Sequence, residues 1–170
     1  LDRKRIDKAV SEVASRIVTD LPAEAGVAAI GIRSRGEILA QRLAANLAKQ
    51  LNQEVPCGTL DITLYRDDLN SPTNAQPQVR TTEIGFNIDD KVIILVDDVL
   101  YTGRSVRAAL DALIDIGRPK AIKLAVLVER AGRELPIQAD YVGYKADIEV
   151  GKLVQVHFVE SDGKDEVFVE

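Results

Sequence analysis

Two adjacent carboxylates, Asp97 and Asp98, close the apolar run Val92 to Val96, and shortly after them the chain reads Tyr101-Thr102-Gly103-Arg104-Ser105. The carboxylates can accept hydrogen bonds from a diol such as a ribose. The turn that follows offers the hydroxyls of Thr102 and Ser105 and a glycine that lets the backbone come close. Free backbone N–H groups at the start of a helix, with hydroxyls beside them, suit a phosphate monoester. The stretch therefore reads as an anion site next to a hydroxyl-binding site. A nucleotide-hydrolysing P-loop is a poor match, since it needs Gly, four residues and then Gly-Lys-Ser/Thr, and this turn has no Lys. A receiver domain also pairs Asp residues after a strand, but nearer its N-terminus. A plain strand-to-helix connection needs one capping Asp, Ser or Thr, which leaves the second Asp and the Thr-Gly pair unexplained.

The elements around this stretch must hold it in place. Ile6, Val10, Val13 and Ile17 fall at three- and four-residue spacing, which predicts an amphipathic helix ended by Pro22. Val27 to Ile32 reads as a buried strand that turns at Gly31 to Gly36 into a second helix, with Leu39, Leu43, Leu47 and Leu51 four apart. Cys57 to Tyr65 reads as another strand. Arg66 to Thr82 is dense in Asp, Asn, Ser and Pro and predicts a loop. Loops longer than about 12 to 15 residues inside a compact domain are usually lids or inserts, so this one is a functional candidate. Val92 to Val96 is the strand type buried on both faces of a parallel sheet. A helix follows it, with Val106, Leu110, Leu113 and Ile114 on one side and Gly117 to Pro119 as its stop. Ile122 to Val128 is the next strand, and shorter ones are predicted at Ala139 to Val142, Leu153 to Val159 and Val167 to Val169. Strands alternating with helices predict an α/β fold with a mainly parallel central sheet, whose ligands bind at the carboxyl ends of the strands.

Composition sets the outer bounds. The chain has 170 residues, 46% hydrophobic and 29% charged, which predicts one globular domain over residues 1–170 and excludes disorder, collagen and coiled coil. A chain of this size buries roughly 70% of its unfolded surface, enough for a core without disulfides. No long apolar run and no basic leader are visible, which predicts a cytoplasmic protein without a membrane span. The absence of methionine predicts that the natural start lies upstream. The net charge of −5 is uneven: residues 1–60 carry nine Lys/Arg against seven Asp/Glu, and residues 145–170 carry three against seven. An acidic total argues only weakly against nucleic acid, because a local basic patch drives phosphate contact.

The thirteen residues Ile93 to Ser105, IILVDDVLYTGRS, resemble the phosphoribosyl-pyrophosphate (PRPP) signature of type I phosphoribosyltransferases. Together with DITLYRDDL (Asp61 to Leu69) and RELPIQADYVG (Arg133 to Gly143), they resemble the PyrR family of pyrimidine-operon attenuation regulators with uracil phosphoribosyltransferase activity. The resemblance covers nearly the whole chain. It implies the type I phosphoribosyltransferase fold, with a small hood over about 133–170 and a flexible lid over about 66–82. It also implies roles for particular residues. Asp97 and Asp98 would hold the ribose hydroxyls. Val99, Leu100, Tyr101, Thr102, Gly103, Arg104 and Ser105 would complete the ribose and 5′-phosphate site. Arg33, Ser34, Arg35 and Gly36 match the family's pyrophosphate loop, often strained by a non-proline cis peptide, with Arg35 counted among the catalytic residues beside Asp97 and Asp98. Arg66 and Arg80 would serve the lid, and Glu129, Arg130, Tyr141 and Val142 would lie by the base. Read without the resemblance, Arg33 and Arg35 could belong to a solvated turn, and Tyr141 is nearly as well explained as core.

The implied reaction joins uracil to PRPP to give UMP and pyrophosphate, with Mg²⁺ as cofactor carried mainly by pyrophosphate and no protein metal ligands assigned. The implied assembly is a homodimer or homotetramer, and the implied further partner is pyrimidine-operon leader RNA. This chain departs from the family where RNA would approach. Ser11, Glu12 and Ser15 stand where a Thr-Arg pair and a His are usual, Gln138 stands where an Arg is common, and Gly143 to Glu149 differs from the family's stretch. Each change removes a donor or adds an acid, so RNA binding is expected to be weakened. Two functional classes stay open: the enzyme, with uracil or another base, and a regulator that uses the nucleotide site as a sensor. His157, the one histidine, reads as structural, Cys57 as core filler, and Glu160 to Glu166 as a solvated hairpin.

Overall fold

The computed structural model describes residues 1–67 and 82–170. Helix α1 (Arg3–Asp20) starts at Asp2, whose carboxylate accepts the Arg5 N–H at 3.0 Å and offsets the basic first turn. Its buried stripe is Ile6, Ala9, Val10, Val13, Ala14 and Ile17, the spacing read from the sequence. Strand β1 (Val27–Ile32) is buried at every position and feeds helix α2 (Arg35–Leu51). Gly31 makes that feed possible: a Cβ there would meet the Gly36 carbonyl and would lie 2.5 Å from Glu37 Cα. Strand β2 (Cys57–Leu60), strand β3 (Val92–Leu100), helix α3 (Arg104–Ile116), strand β4 (Ala121–Arg130) and strand β5 (Tyr141–Ala146) complete the main body.

The five strands form one parallel sheet in the order β2-β1-β3-β4-β5. Val27, Ala29, Val92, Ile94 and Val96 point toward α1 and α2, while Ala28, Ile30, Ile93 and Leu95 point toward α3. The order reverses between β1 and β3. In an open α/β sheet the connections leaving two such strands depart to opposite faces and leave a crevice between them, where ligands bind.

The chain ends in a small module: strand β6 (Val154–His157), a single helical turn α4 (Val159–Asp162) and strand β7 (Glu166–Val169), with β6 and β7 antiparallel. Phe158, fully buried, plugs the module into the core under α1 and α2. Among the described residues no helix is long and apolar enough to cross a membrane.

Several elements differ from the sequence reading. The strand expected over Cys57 to Tyr65 stops at Leu60, and a 3-10 turn, Thr63–Tyr65, follows it. The Asp61 carboxylate explains the break, because it accepts both the N–H and the hydroxyl of Thr63 and pulls the backbone out of the extended path. Strand β3 runs past Val96 to Leu100, so Asp97 and Asp98 lie inside the strand, with Asp97 in register with Val126 of β4. Cys57 is exposed at the start of the edge strand β2 and is not core filler. Ile114 is exposed as well. The acidic stretch 160–166 is no solvated hairpin, since α4 and the start of β7 bring its carboxylates onto arginines of α2.

Candidate active site

Two turns face each other across the crevice between β1 and β3. The first is Arg33-Ser34-Arg35-Gly36 at the end of β1, where the Arg33–Ser34 peptide bond is cis. The second is Tyr101 to Ser105, between β3 and α3. The first turn packs against Asp97, on the strand that runs into the second: an atom at the Cβ position of Gly36 would lie 3.3 Å from Asp97 Oδ1 and 2.7 Å from the Val96 carbonyl. Gly36 and Asp97, 61 positions apart in the chain, therefore share one place.

Asp97 is buried and Asp98 half-buried. The Asp98 N–H donates to Asp97 Oδ1 at 3.0 Å, and the Val99 N–H donates to Asp98 Oδ1 at 2.9 Å. Burial pushes the Asp97 carboxyl well above the usual carboxylate range, and the charge of Asp98 adds to the effect. A protonated Asp97 can donate to a hydroxyl as well as accept from one.

The second turn is built mainly of backbone. Gly103 takes φ +93° at the start of α3, where the first N–H groups have no partner within the helix. The Arg104 N–H is 3.3 Å from Thr102 Oγ1, and Ser105 is exposed beside it. Arg66, Asp67, Thr102, Arg104 and Ser105 line one cavity. Within it the Arg104 guanidinium pairs with Asp67 at 2.5 Å and with Glu134 at 2.7 Å.

A strap over residues 129–137 fixes this turn from outside. The N–H groups of Glu134 and Leu135 donate to the Thr102 carbonyl at 2.9 and 3.1 Å. Arg133 donates to the Tyr101 carbonyl, to the Ile137 carbonyl at 2.7 Å and to Glu129 Oε1 at 2.7 Å. Arg130, buried, lies 4.1 Å over the Tyr101 ring and donates to the carbonyls of Glu149 and Lys152. The sequence reading put Glu129 and Arg130 near a base and passed over Arg133. In the structure all three brace the Tyr101 to Ser105 turn, and Arg130 also holds the 149–152 turn. The missed signal was the spacing of Glu129 and Arg133, four apart at the end of a strand.

The first turn is held differently. Arg33 pairs with Glu37 at 3.0 Å and donates to Thr59 Oγ1 at 3.2 Å, and Arg35 pairs with Asp162 at 2.9 Å. Tyr141 lies in the core under α1, its hydroxyl donating to Asp20 at 3.0 Å, and its phenol is pushed up to about 12 by burial and by Asp20. Its neighbour Val142 points to the α3 side, half-buried, and its carbonyl accepts from Arg16. Arg66 lies at the cavity edge; Arg80, and with it most of the expected lid, falls outside the described residues.

Residues 1–160 match the model of the phosphoribosyl transferase domain. The Bifunctional protein PyrR of Deinococcus radiodurans is 51% identical over 165 residues, which cover 97% of this chain and 90% of that protein. The chain belongs to the PyrR family of phosphoribosyltransferase-domain proteins. The Bifunctional protein PyrR of Thermus aquaticus is 52% identical over 160 residues, 94% of this chain and 88% of that protein. Among solved structures, a Bacillus anthracis hypoxanthine-guanine phosphoribosyltransferase superposes with a TM-score of 0.67 at 22% identity, covering 88% of this chain and 84% of that one. A Trypanosoma cruzi hypoxanthine phosphoribosyltransferase gives 0.67 at 23% identity, covering 85% and 75%. These two speak for the fold, and the PyrR relatives identify the branch to which this PyrR-family chain belongs.

Proposed function

We propose that this PyrR-family chain transfers the phosphoribosyl group of PRPP to a ring nitrogen of uracil, giving UMP and pyrophosphate. The observation that carries the reading is the packing of the Arg33 to Gly36 turn against Asp97, on the strand that runs into the Tyr101 to Ser105 turn, at the reversal point of the sheet. In this reading residues 1–170 act as one domain. The backbone N–H groups and hydroxyls of the Tyr101 to Ser105 turn bind the 5′-phosphate, Asp97 and Asp98 bind the ribose hydroxyls, and Arg33, Arg35 and the backbone of Ser34 and Gly36 face the pyrophosphate.

Uracil attacks the anomeric carbon as the bond to pyrophosphate breaks, and negative charge grows on the leaving group. Fixed donors at the first turn then stabilise the transition state more than the bound substrate. The donor set suits Mg²⁺, a hard cation usually held by one or two carboxylates and by substrate phosphates. Among the described residues no three His, Cys, Asp or Glu side chains converge. Asp98 would lie nearest an ion carried mainly by pyrophosphate, which would neutralise leaving-group charge. A lid over about 66–82, with Arg66 and Arg80, would exclude water from the reacting centre. The base would lie between this crevice and the hood, near Val142 and the end of β4. The preference for uracil is supported by the resemblance of the three quoted segments. Incubation with PRPP, Mg²⁺ and uracil, with hypoxanthine, guanine and orotate in parallel, should yield UMP. Activity with a purine and none with uracil would overturn the assignment.

The relatives are named bifunctional, which favours a second role in this chain: UMP-dependent binding of pyrimidine-operon leader RNA by a cytoplasmic homodimer or homotetramer. We propose that this role is weakened. Ser11, Glu12 and Ser15 are exposed on α1, where Lys8 is paired with Glu12 at 3.8 Å and the Ser15 hydroxyl is turned onto the Ser11 carbonyl. Gln138 is exposed too and brings no charge. Titration of a leader hairpin at two salt concentrations tests this, because tight, UMP-enhanced and strongly salt-dependent binding would show the regulatory surface intact.

A further inference from the structure

Arg35 and Arg42 stand seven residues apart on α2, two turns along one face, and both reach the acidic C-terminal module. Arg42 makes four hydrogen bonds there. It donates to both oxygens of Glu160, at 2.9 and 2.5 Å, and to both of Asp165, at 3.3 and 2.7 Å, and its guanidinium lies 4.8 Å over the Phe158 ring. This contact docks the module and touches no part of the crevice. Arg35 is different, because it is the first residue of α2, directly after the Ser34 turn, and among the described residues donates once, to Asp162 Oδ1 at 2.9 Å, its Nε buried without a partner. The other Asp162 oxygen accepts the Phe158 N–H at 2.9 Å and the Ser161 hydroxyl at 2.7 Å, so the carboxylate is fixed by its own module. The Ser161 hydroxyl, the Phe158 N–H and Arg35 hold its titration below the usual carboxylate range.

We propose that Asp162 is a positioning residue for the pyrophosphate turn, its Oδ1 fixing the Arg35 guanidinium so that the terminal N–H donors left over face the pyrophosphate. The inference rests on the reading of Arg33 to Gly36 given above. A guanidinium carries five donors in a rigid fork, and engaging one by a carboxylate orients the rest. Ordering the side chain before the ligand arrives removes that entropy loss from the binding step. The module thus acts on the crevice through one residue.

The test is calorimetric titration of the full chain with inorganic pyrophosphate and Mg²⁺, alongside steady-state kinetics with PRPP and uracil. Asp162→Asn should weaken pyrophosphate binding and raise KM for PRPP by about tenfold, with KM for uracil unchanged. Asp165→Asn, which loosens the Arg42 contact of the same module, should lower Tm and leave pyrophosphate affinity unchanged. Should Asp162→Asn fail to fold, Ser161→Ala removes one of the two donors that fix the Asp162 carboxylate and should weaken pyrophosphate binding about two- to threefold. Unchanged or tighter binding in Asp162→Asn, or unchanged binding in Ser161→Ala, would overturn the proposal, as would equal weakening in Asp165→Asn. Tighter binding would mean that the carboxylate competes with pyrophosphate for Arg35. If the wild-type chain binds no pyrophosphate and makes no UMP, the reading of the turn falls, and the assignment of Asp162 with it.

Discussion

The turn after β1 and the turn after β3 face one crevice but are built on different principles. The first presents charge: Arg33 and Arg35, each already engaged by a carboxylate, Glu37 in the next helical turn and Asp162 from the far end of the chain. The second presents backbone, with Gly103 at φ +93° and a strap that fastens the Thr102 and Tyr101 carbonyls from outside. A backbone cradle is set by its own short sequence and by hydrogen bonds to the main chain. A cradle of guanidinium groups depends on what holds those side chains, and here the holders come from distant elements. The second turn should therefore tolerate changes in remote charge, and the first should not.

Asp98, between the two turns, should give the largest effect. Asp98→Asn is expected to lower kcat/KM for UMP formation by about tenfold to a thousandfold, or about 1.4 to 4 kcal/mol, with the fold intact; an unchanged rate would remove Asp98 from the chemistry. Gly31→Ala should next destabilise the protein by about 3 kcal/mol in urea unfolding, because the added methyl meets backbone of α2 that cannot move without shifting the whole first turn. Gly103→Ala should cost about 1 to 2 kcal/mol from its left-handed φ. It should also raise KM for PRPP, while inorganic pyrophosphate binding, assigned to the other turn, stays within about twofold.

The smallest expected effect is a pH dependence on the charged side. The folded protein holds the carboxyls of Glu160, Asp162 and Asp165 below their ordinary values, chiefly through Arg42 for Glu160, the Ser161 hydroxyl for Asp162, and, for Asp165, Arg42 and the Val159 N–H acting against burial. A depressed carboxyl stabilises the fold above its unfolded value, and the stabilisation is lost as the pH falls through the folded value. Unfolding free energy should thus fall with pH below the ordinary values of 4.5 and 3.8. Arg42→Gln should flatten that slope.

The same contrast explains what was legible in the sequence. The Val92 to Ser105 segment could be read because strand, carboxylates and cradle are consecutive, and the helices could be read because Ile6, Val10, Val13 and Ile17, or Leu39, Leu43 and Leu47, repeat at helical spacing. The partner of Arg35 could not, since Asp162 lies 127 residues away and only the folded module brings it back. The hints were the acidic C-terminus facing a mildly basic N-terminal third and two arginines seven apart on one helix. Periodicity likewise stays silent on which face of β5 holds Tyr141: alternation gives two faces, and the Asp20 carboxylate on α1 decides between them. The shortened β2 depended on one local competitor, the Asp61 side chain.

The central claim is that the two turns divide one substrate between them. A crystal structure of the chain with PRPP and Mg²⁺ in the absence of base tests it most directly. The account predicts the 5′-phosphate on the N–H groups of the Tyr101 to Ser105 turn, the ribose hydroxyls on Asp97 and Asp98, and the pyrophosphate against Arg33 to Gly36, with Arg35 still bonded to Asp162. Pyrophosphate seated on the Tyr101 to Ser105 turn, or PRPP bound away from Asp97, would contradict it.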